Sequence, residues 1–340
     1  MTVRVAAVAT VLPEHRIRQS EIRRACQILF QGHPHLQKLL DVFAHSGIEE
    51  RFFAFPLAYY LNGHTFAERN FDYIRETEKL GSLAVRKALA ESGTRARDID
   101  QFYFVTTTGL ATPSIDALIV SECGFRPDIL RNPLFGMGCA GGAAALGRAA
   151  HSLKGKTLIL SVELCGQTFR NIDRSAANLV GAALFGDGAA CVILDHESGG
   201  PEVVAWGSEL FKGTRRVMGW DFLDDGFKLV LSRSVPAAVK RYVAPALKRF
   251  LKKEGLTPSR IDHFLLHPGG AKILAAYRET LDADLRWMEP SLRRIGNLSS
   301  AHVLFLLSDL LRSGKARAGD LGLLAAVGPG FAAEAVLLRW

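Results

Sequence analysis

The sequence is poor in cysteine and has no long apolar run and no block of one charge. Its five cysteines are odd in number and include no Cys-x-x-Cys pair, which argues against a disulfide framework or a structural zinc site and favours a cytoplasmic protein. No segment approaches the roughly 18 apolar residues that span a bilayer. The N-terminal VRVAAVATVLP is too short for a signal peptide, and we interpret it as a strand.

The composition is that of a globular protein large enough for two domains. The chain has 340 residues, of which 48% are hydrophobic and 22% are charged. Its net charge of +8 is dispersed rather than clustered. This pattern favours a small anionic partner, such as a phosphorylated molecule, over nucleic acid.

Strand-like and helical patterns alternate along the chain, which predicts an α/β fold. The predicted strands, rich in β-branched and aromatic residues, are 3–9, 101–107, 157–162 and 189–194. A helix is predicted over 236–253, and Pro245 in its middle predicts a kink or two shorter helices.

An internal repeat divides the chain into two similar halves, predicted at 1–195 and 201–340. Three elements recur in the same order, and their paired positions are Ile99 with Ile261, Cys139 with Asn297, and Gly186 with Gly328. Duplicated halves usually pack about a pseudo-twofold axis, so Cys139 and Asn297 are expected to face each other. His267 follows the repeated strand of its half, and we expect it to lie on the same side.

These three residue types suit nucleophilic chemistry on an acyl group. Cys139 precedes an alanine-rich helix, whose dipole, together with an adjacent imidazole, is expected to lower the thiol pKa. Asn297 either caps a helix or, if Ser299 and Ser300 cap it, donates a hydrogen bond into the cavity. His267 and Asn297 together would then stabilise an enolate or oxyanion, as a thioester Claisen condensation requires.

Five motifs in order over nearly the whole chain resemble the type III polyketide synthases, the chalcone-synthase-like branch of the thiolase superfamily. They are GCAGG around Cys139, FGDGAA from Phe185, HPGG from His267, GNLSSA around Asn297, and GPG at 328–330. The resemblance implies a thiolase-like five-layered αβαβα fold and a homodimer. It also implies acyl-CoA and malonyl-CoA as substrates, with no metal and no covalent cofactor.

The same resemblance implies roles for single residues. Cys139 would carry the acyl chain, while His267 and Asn297 would drive decarboxylation. Phe185 matches a gatekeeper phenylalanine, and Leu229 falls at the second gatekeeper position, with Phe227 as the nearest aromatic. Further positions match the lining of the family's cavity: Thr107, Thr108, Cys165, Thr168 and Ser299.

The short nucleophile motif and the sequence VELC at 162–165 are more similar to bacterial members that make alkylpyrones or alkylresorcinols from fatty acyl-CoA. A small Cys165 could then open a tunnel for the acyl chain. Lys272 and Arg51 are candidates to bind the CoA phosphates.

Two other functions stay open from the sequence. A ketoacyl-ACP synthase III-like enzyme also uses Cys, His and Asn, but it carries Gln-Ala-Asn rather than Pro-Gly-Gly after the His. An inactive thiolase-fold binding protein is the second alternative, against which the intact Cys139, His267 and Asn297 argue.

Overall fold

A computed structural model describes residues 2–340, which form thirteen β-strands and twelve α-helices. The strands are β1 (Arg4–Val11), β2 (His15–Arg18), β3 (Glu50–Phe53), β4 (Ile99–Thr106), β5 (Leu130–Phe135), β6 (Lys156–Leu164), β7 (Asp187–Asp195), β8 (Glu202–Leu210), β9 (Met218–Leu223), β10 (Gly226–Leu231), β11 (His263–Leu266), β12 (Leu321–Gly328) and β13 (Ala332–Arg339). The helices are α1 (Gln19–Leu29), α2 (Leu36–His45), α3 (Leu57–Leu61), α4 (Phe66–Ser92), α5 (Asp116–Glu122), α6 (Gly141–His151), α7 (Ala176–Leu184), α8 (Val235–Ala238), α9 (Ala244–Lys253), α10 (Ala271–Leu281), α11 (Met288–Ile295) and α12 (His302–Ser313).

Each predicted strand is present, with bounds shifted by a few residues. Strands β6 and β7 are buried along almost their whole length, which explains their continuous apolar sequences. In the predicted helix 236–253, α8 and α9 are separated by a π-helical turn at Val239–Val243. Pro245 lies just after that turn and donates no main-chain hydrogen bond, so the predicted interruption is confirmed.

The strand order repeats between the two halves of the chain. Nine strands follow one another in the order β11-β12-β13-β8-β1-β7-β6-β4-β5. In the second half, β11 and β12 are parallel, whereas β13 and β8 are added antiparallel; β4, β6, β7 and β1 repeat this pattern. Within the sheet, the two halves are joined between β1 and β8, where one pair of residues is in register, Arg4 and Glu202. The duplication inferred from the sequence therefore has a structural counterpart, while the boundaries at 195 and 201 stay a prediction.

Helices α6 and α12 lie between the two sets of strands and contact both. Helix α4 covers the first set from outside, and α9 packs on the second set. A methyl group on Gly142 of α6 would lie 2.1 Å from the carbonyl oxygen of Ser300, which leads into α12. The glycine pair in GCAGG therefore allows the central helices to approach closely, and this approach brings the two halves of the site together. None of the helices described is both long and apolar enough to cross a membrane.

Candidate active site

Cys139, His267 and Asn297 line one cavity between the two halves of the chain. Cys139 lies in the helical turn Gly138–Ala140 that leads into α6. His267 directly follows β11, and its main-chain N–H donates to the carbonyl of Ala325 on β12 at 2.8 Å. Asn297 lies between α11 and α12. The juxtaposition expected from the repeat is therefore present, while the roles of the three residues stay a prediction.

The Cys139 thiol is neutral in its present surroundings. Burial raises its pKa to about 12, and the nearby Glu163 carboxylate acts in the same direction. A hydrogen bond from Cys139 Sγ to Ser299 Oγ at 3.6 Å lowers the pKa but is outweighed. A helix dipole is worth only about 0.3–1 kcal/mol, less than one pKa unit. The lowered pKa predicted from the helix position is therefore wrong for this structure.

The His267 imidazole is buried and makes no hydrogen bond through either ring nitrogen. Burial lowers its pKa to about 3, so the ring is neutral near pH 7. A buried polar group usually has a partner, and an unpaired one is a sign of function or of an absent ligand. His267 can thus offer one N–H donor and one acceptor to a substrate in the cavity.

The Asn297 carboxamide is held by one side only. Its Oδ1 accepts the main-chain N–H of Ser299 at 2.8 Å, which leaves the Nδ2 donors free of that contact. Ser299 has a φ of 48°, in the left-handed region that a non-glycine residue seldom adopts. Neither Ser299 nor Ser300 caps α12 with its side chain. The amide is therefore available as a donor, although for a different reason than the one predicted.

Glu163 holds together several residues beside Cys139 by hydrogen bonds. The Thr107 N–H and the Thr108 hydroxyl donate to its Oε2 at 3.1 and 3.0 Å, and the Ser300 hydroxyl donates to Oε1. Burial raises the pKa of Glu163 to about 7, although these three hydrogen bonds oppose the shift. Glu163 thus ties the loop after β4 to the turn before α12.

Sequence reasoning passed over His302, which packs against His267. The two rings lie edge to face with centroids 5.9 Å apart. His302 Nδ1 accepts the main-chain N–H of Leu298 at 3.2 Å, so Nε2 carries the proton and donates to Ser291 Oγ at 3.1 Å. The only sequence signal for this contact is the position of His302, four residues after Leu298 of the GNLSSA motif.

A second cavity adjoins the first and is lined mainly by apolar side chains of α1, β3, α3 and α7. The residues that line both cavities are Cys165, Phe185, Trp220 and Leu229. Phe185 and Leu229 lie side by side, since both would contact a methyl group placed on Gly181. Phe227 instead packs against Phe66 and Trp220 and lines neither cavity, while the gatekeeper role of Leu229 stays a prediction.

The remaining lining residues divide between the two cavities. Thr107, Thr108 and Ser299 line the cavity that contains Cys139, as expected. Thr168 lines the second cavity instead, and its hydroxyl donates to the carbonyl of Cys165 at 2.7 Å.

The two candidate phosphate ligands differ in exposure. Lys272 is exposed at the start of α10, and phosphate binding there stays a prediction. Arg51 is fully buried, and its guanidinium donates to the carbonyls of Ala182 and Phe185. The prediction that Arg51 binds phosphate at a tunnel mouth is therefore wrong, because β3 points this side chain into the protein interior.

Comparison with known proteins identifies the family of the chain. Residues 59–198 match the family model "Chalcone and stilbene synthases, N-terminal domain", and residues 251–340 match the model of the 3-oxoacyl-[acyl-carrier-protein] synthase III C terminus. A 1,3,6,8-tetrahydroxynaphthalene synthase of Streptomyces peucetius subsp. caesius is 38% identical over 352 residues, which are 99% of this chain and 93% of the relative. The chain belongs to the type III polyketide synthases.

The solved structure of another type III polyketide synthase, the 1,3,6,8-tetrahydroxynaphthalene synthase of Streptomyces coelicolor A3(2), has a TM-score of 0.95 and 30% identity, with 99% of both chains covered. A phloroglucinol synthase of Pseudomonas fluorescens is 30% identical over 342 residues, covering 97% of each chain. Type III polyketide synthases are decarboxylating condensing acyltransferases that use CoA thioesters, and the thiolase-like fold is confirmed. The match at 251–340 shows that this region, which carries His267 and Asn297, is similar to the C-terminal region of the ketoacyl-ACP synthase III enzymes.

Proposed function

We propose that this type III polyketide synthase loads a fatty acyl-CoA starter on Cys139 and extends it with malonyl-CoA to an alkylpyrone or alkylresorcinol. The observation that carries the proposal is the second, apolar cavity behind Cys165 and Phe185. Binding pockets for apolar ligands are lined predominantly by apolar and aromatic side chains, as this cavity is. An acyl chain bound there leaves its thioester carbonyl in the cavity that holds Cys139.

Loading begins with two neutral groups. The Cys139 thiol passes its proton to the free nitrogen of His267, and the thiolate attacks the starter carbonyl. The carbon–sulfur bond to CoA then breaks, and the CoA thiolate takes the proton from the imidazolium. Because thiol and imidazole are each uncharged in the buried site, we expect the ion pair to exist only during this step.

Extension uses the neutral imidazole and the free carboxamide as donors. The His267 N–H and the Asn297 NH₂ bind the thioester oxygen of malonyl-CoA and stabilise the enolate that forms as CO₂ leaves. The electron pair of the broken C–C bond becomes the enolate carbon nucleophile. This carbon attacks the acyl group on Cys139, and the C–S bond breaks with its electron pair passing to Cys139 Sγ. The extended chain leaves as a CoA thioester, and the Sγ thiolate takes a proton from solvent to restore the neutral thiol.

A second product class is favoured by the relatives, which include tetrahydroxynaphthalene and phloroglucinol synthases. In that case the second cavity would hold a growing polyketide rather than an alkyl chain. Mass spectrometry of products from malonyl-CoA, alone and with starters from C2 to C20, separates the two. Alkylated products with long starters support the first proposal, and a single alkyl-free product in every reaction supports the second.

Two controls address the alternatives left open by the sequence. Turnover of malonyl-CoA without any carrier protein distinguishes the enzyme from a ketoacyl-ACP synthase III. Intact-protein mass after mixing with acyl-CoA should reveal an adduct that Cys139→Ala loses. An unmodified mass with every starter would instead favour an inactive binding protein.

We further propose a homodimer in the cytoplasm. Strand β5 is the outer strand of the sheet, and its apolar side chains Leu130 and Phe135 are 55% and 47% exposed. An uncovered apolar edge invites pairing with another chain, and a second copy would cover it. Sedimentation tests the dimer. All five cysteines are free, in keeping with a reducing compartment, and imaging of a tagged copy tests the location.

A further inference from the structure

The last main-chain carbonyls of helix α7 all accept hydrogen bonds, either from Phe185 directly after the helix or from residues elsewhere in the chain. The final carbonyls of a helix have no partner further along it, so another group must bind them. Phe185 N–H donates to Gly181 O at 2.9 Å. The other donors are Arg51 Nη1 to Ala182 O at 2.6 Å and to Phe185 O at 2.7 Å, Gln19 Nε2 to Ala183 O at 2.8 Å, and Asn297 N to Leu184 O at 2.8 Å.

Arg51 and Gln19 act as one unit in this arrangement. Arg51 Nη2 donates to Gln19 Oε1 at 2.6 Å, and Gln19 Nε2 also donates to Ser46 Oγ at 3.0 Å. Burial lowers the pKa of Arg51 to about 9, which still leaves the guanidinium charged near pH 7. A cation at a helix C-terminus is favourable because it faces the negative end of the helix dipole. A buried charge persists only where such partners compensate it.

The capped helix end is directly joined to the catalytic candidate Asn297. Asn297 N–H donates to Leu184 O, and Gly186 N–H donates to Asn297 O at 3.0 Å, so Phe185 and Asn297 form a parallel β-bridge. Gly296 has a φ of 68°, and a methyl group there would lie 2.5 Å from Arg51 Cγ. Arg51 thus contacts the chain on both sides of this bridge.

We propose that Arg51, together with Gln19, is a positioning residue that fixes the main-chain bridge between the gatekeeper Phe185 and Asn297. The proposal rests on the proposed function, because it concerns the enolate-forming step at Asn297. Arg51 touches no substrate in this role. A displacement of about 1 Å at a reacting centre can cost about 10²-fold in rate, so loosening the bridge should slow decarboxylation more than it affects the thiol.

Arg51→Lys tests this role, since lysine keeps the charge but not the fork that reaches two carbonyls. The two readouts of the test are the kcat of malonyl-CoA decarboxylation and, separately, the fraction of Cys139 that iodoacetamide alkylates. We expect kcat to fall at least about tenfold while alkylation of Cys139 stays complete. Arg16→Lys is the matched control, because Arg16 lies on the paired strand β2 and forms an exposed ion pair with Glu50.

Two outcomes would overturn the proposal. Unchanged decarboxylation per alkylated Cys139 in Arg51→Lys would mean that the capping is only structural. If decarboxylation and alkylation both fell in proportion to the fraction of folded protein, the capping would likewise be only structural. If Arg51→Lys does not fold, Gln19→Leu decides by the same two readouts, since it keeps the Arg51 charge. A wild-type protein without decarboxylation would instead refute the proposed function and leave the capping geometry unaffected.

Discussion

Replacing Gly142 by alanine should separate the two halves of the active site. The new methyl group would lie 2.1 Å from the carbonyl oxygen of Ser300, whereas ordinary contacts begin near 3.4 Å. Helix α6 and the turn before α12 must therefore move apart by roughly 1 Å or more. Cys139 precedes one of these helices and Asn297 the other, so the displacement acts directly on the distance between the proposed nucleophile and the proposed enolate donor.

Two magnitudes follow from this displacement. Overpacking of a dense interior costs about 1–3 kcal/mol of unfolding free energy. A misplacement of about 1 Å between reacting groups costs about 10²-fold in rate. We therefore expect Gly142→Ala to fold with reduced stability and to lose about 10²-fold in the kcat of condensation, with a smaller change in the KM for malonyl-CoA.

Thermal unfolding and steady-state kinetics check both magnitudes. Gly63→Ala is the matched control, because a methyl group at Gly63 has nothing within 4 Å and should change neither quantity. If Gly142→Ala matched Gly63→Ala in stability and kcat, the close approach of α6 and α12 would not be what aligns the site.

Three further predictions follow from single residues. Because the folded pKa of Glu163 is raised from 4.5 to about 7, the native state keeps a proton that the unfolded chain loses between these values. The unfolding free energy should therefore fall by about 3 kcal/mol as pH rises through this window. Urea unfolding at pH 5 and pH 7 should show that Glu163→Gln lacks the part of this pH dependence that Glu163 contributes. Cys165→Phe should narrow the passage between the cavities and shorten the accepted starter; unchanged chain-length selectivity in product mass spectrometry would contradict the tunnel. Leu130→Lys should shift the sedimentation coefficient toward the monomer, and an unaltered dimer would place the interface away from β5.

The surroundings of buried ionisable side chains could not be predicted from the sequence. Arg51 was a candidate phosphate ligand because a basic side chain suits the CoA phosphates, yet β3 turns it toward the end of α7. Likewise, the position of Cys139 before a helix predicted a lowered thiol pKa, and burial by neighbouring segments outweighed the helix dipole. Burial depends on which distant elements pack around a group, so a local pattern cannot report it.

The sequence by itself determined the α/β class, the order of the repeated elements, and the convergence of Cys139, His267 and Asn297 on one cavity, while their roles stay a prediction. The α/β class follows from local periodicity, and the three residues follow from the order of the repeated motifs along the chain, which can be compared without any knowledge of packing. Only the tertiary structure decided the second cavity behind Cys165, the ring of His302 against His267, and the interior place of Arg51. Each of these depends on contacts between segments far apart in the chain, and such contacts arise from packing rather than from any local signal.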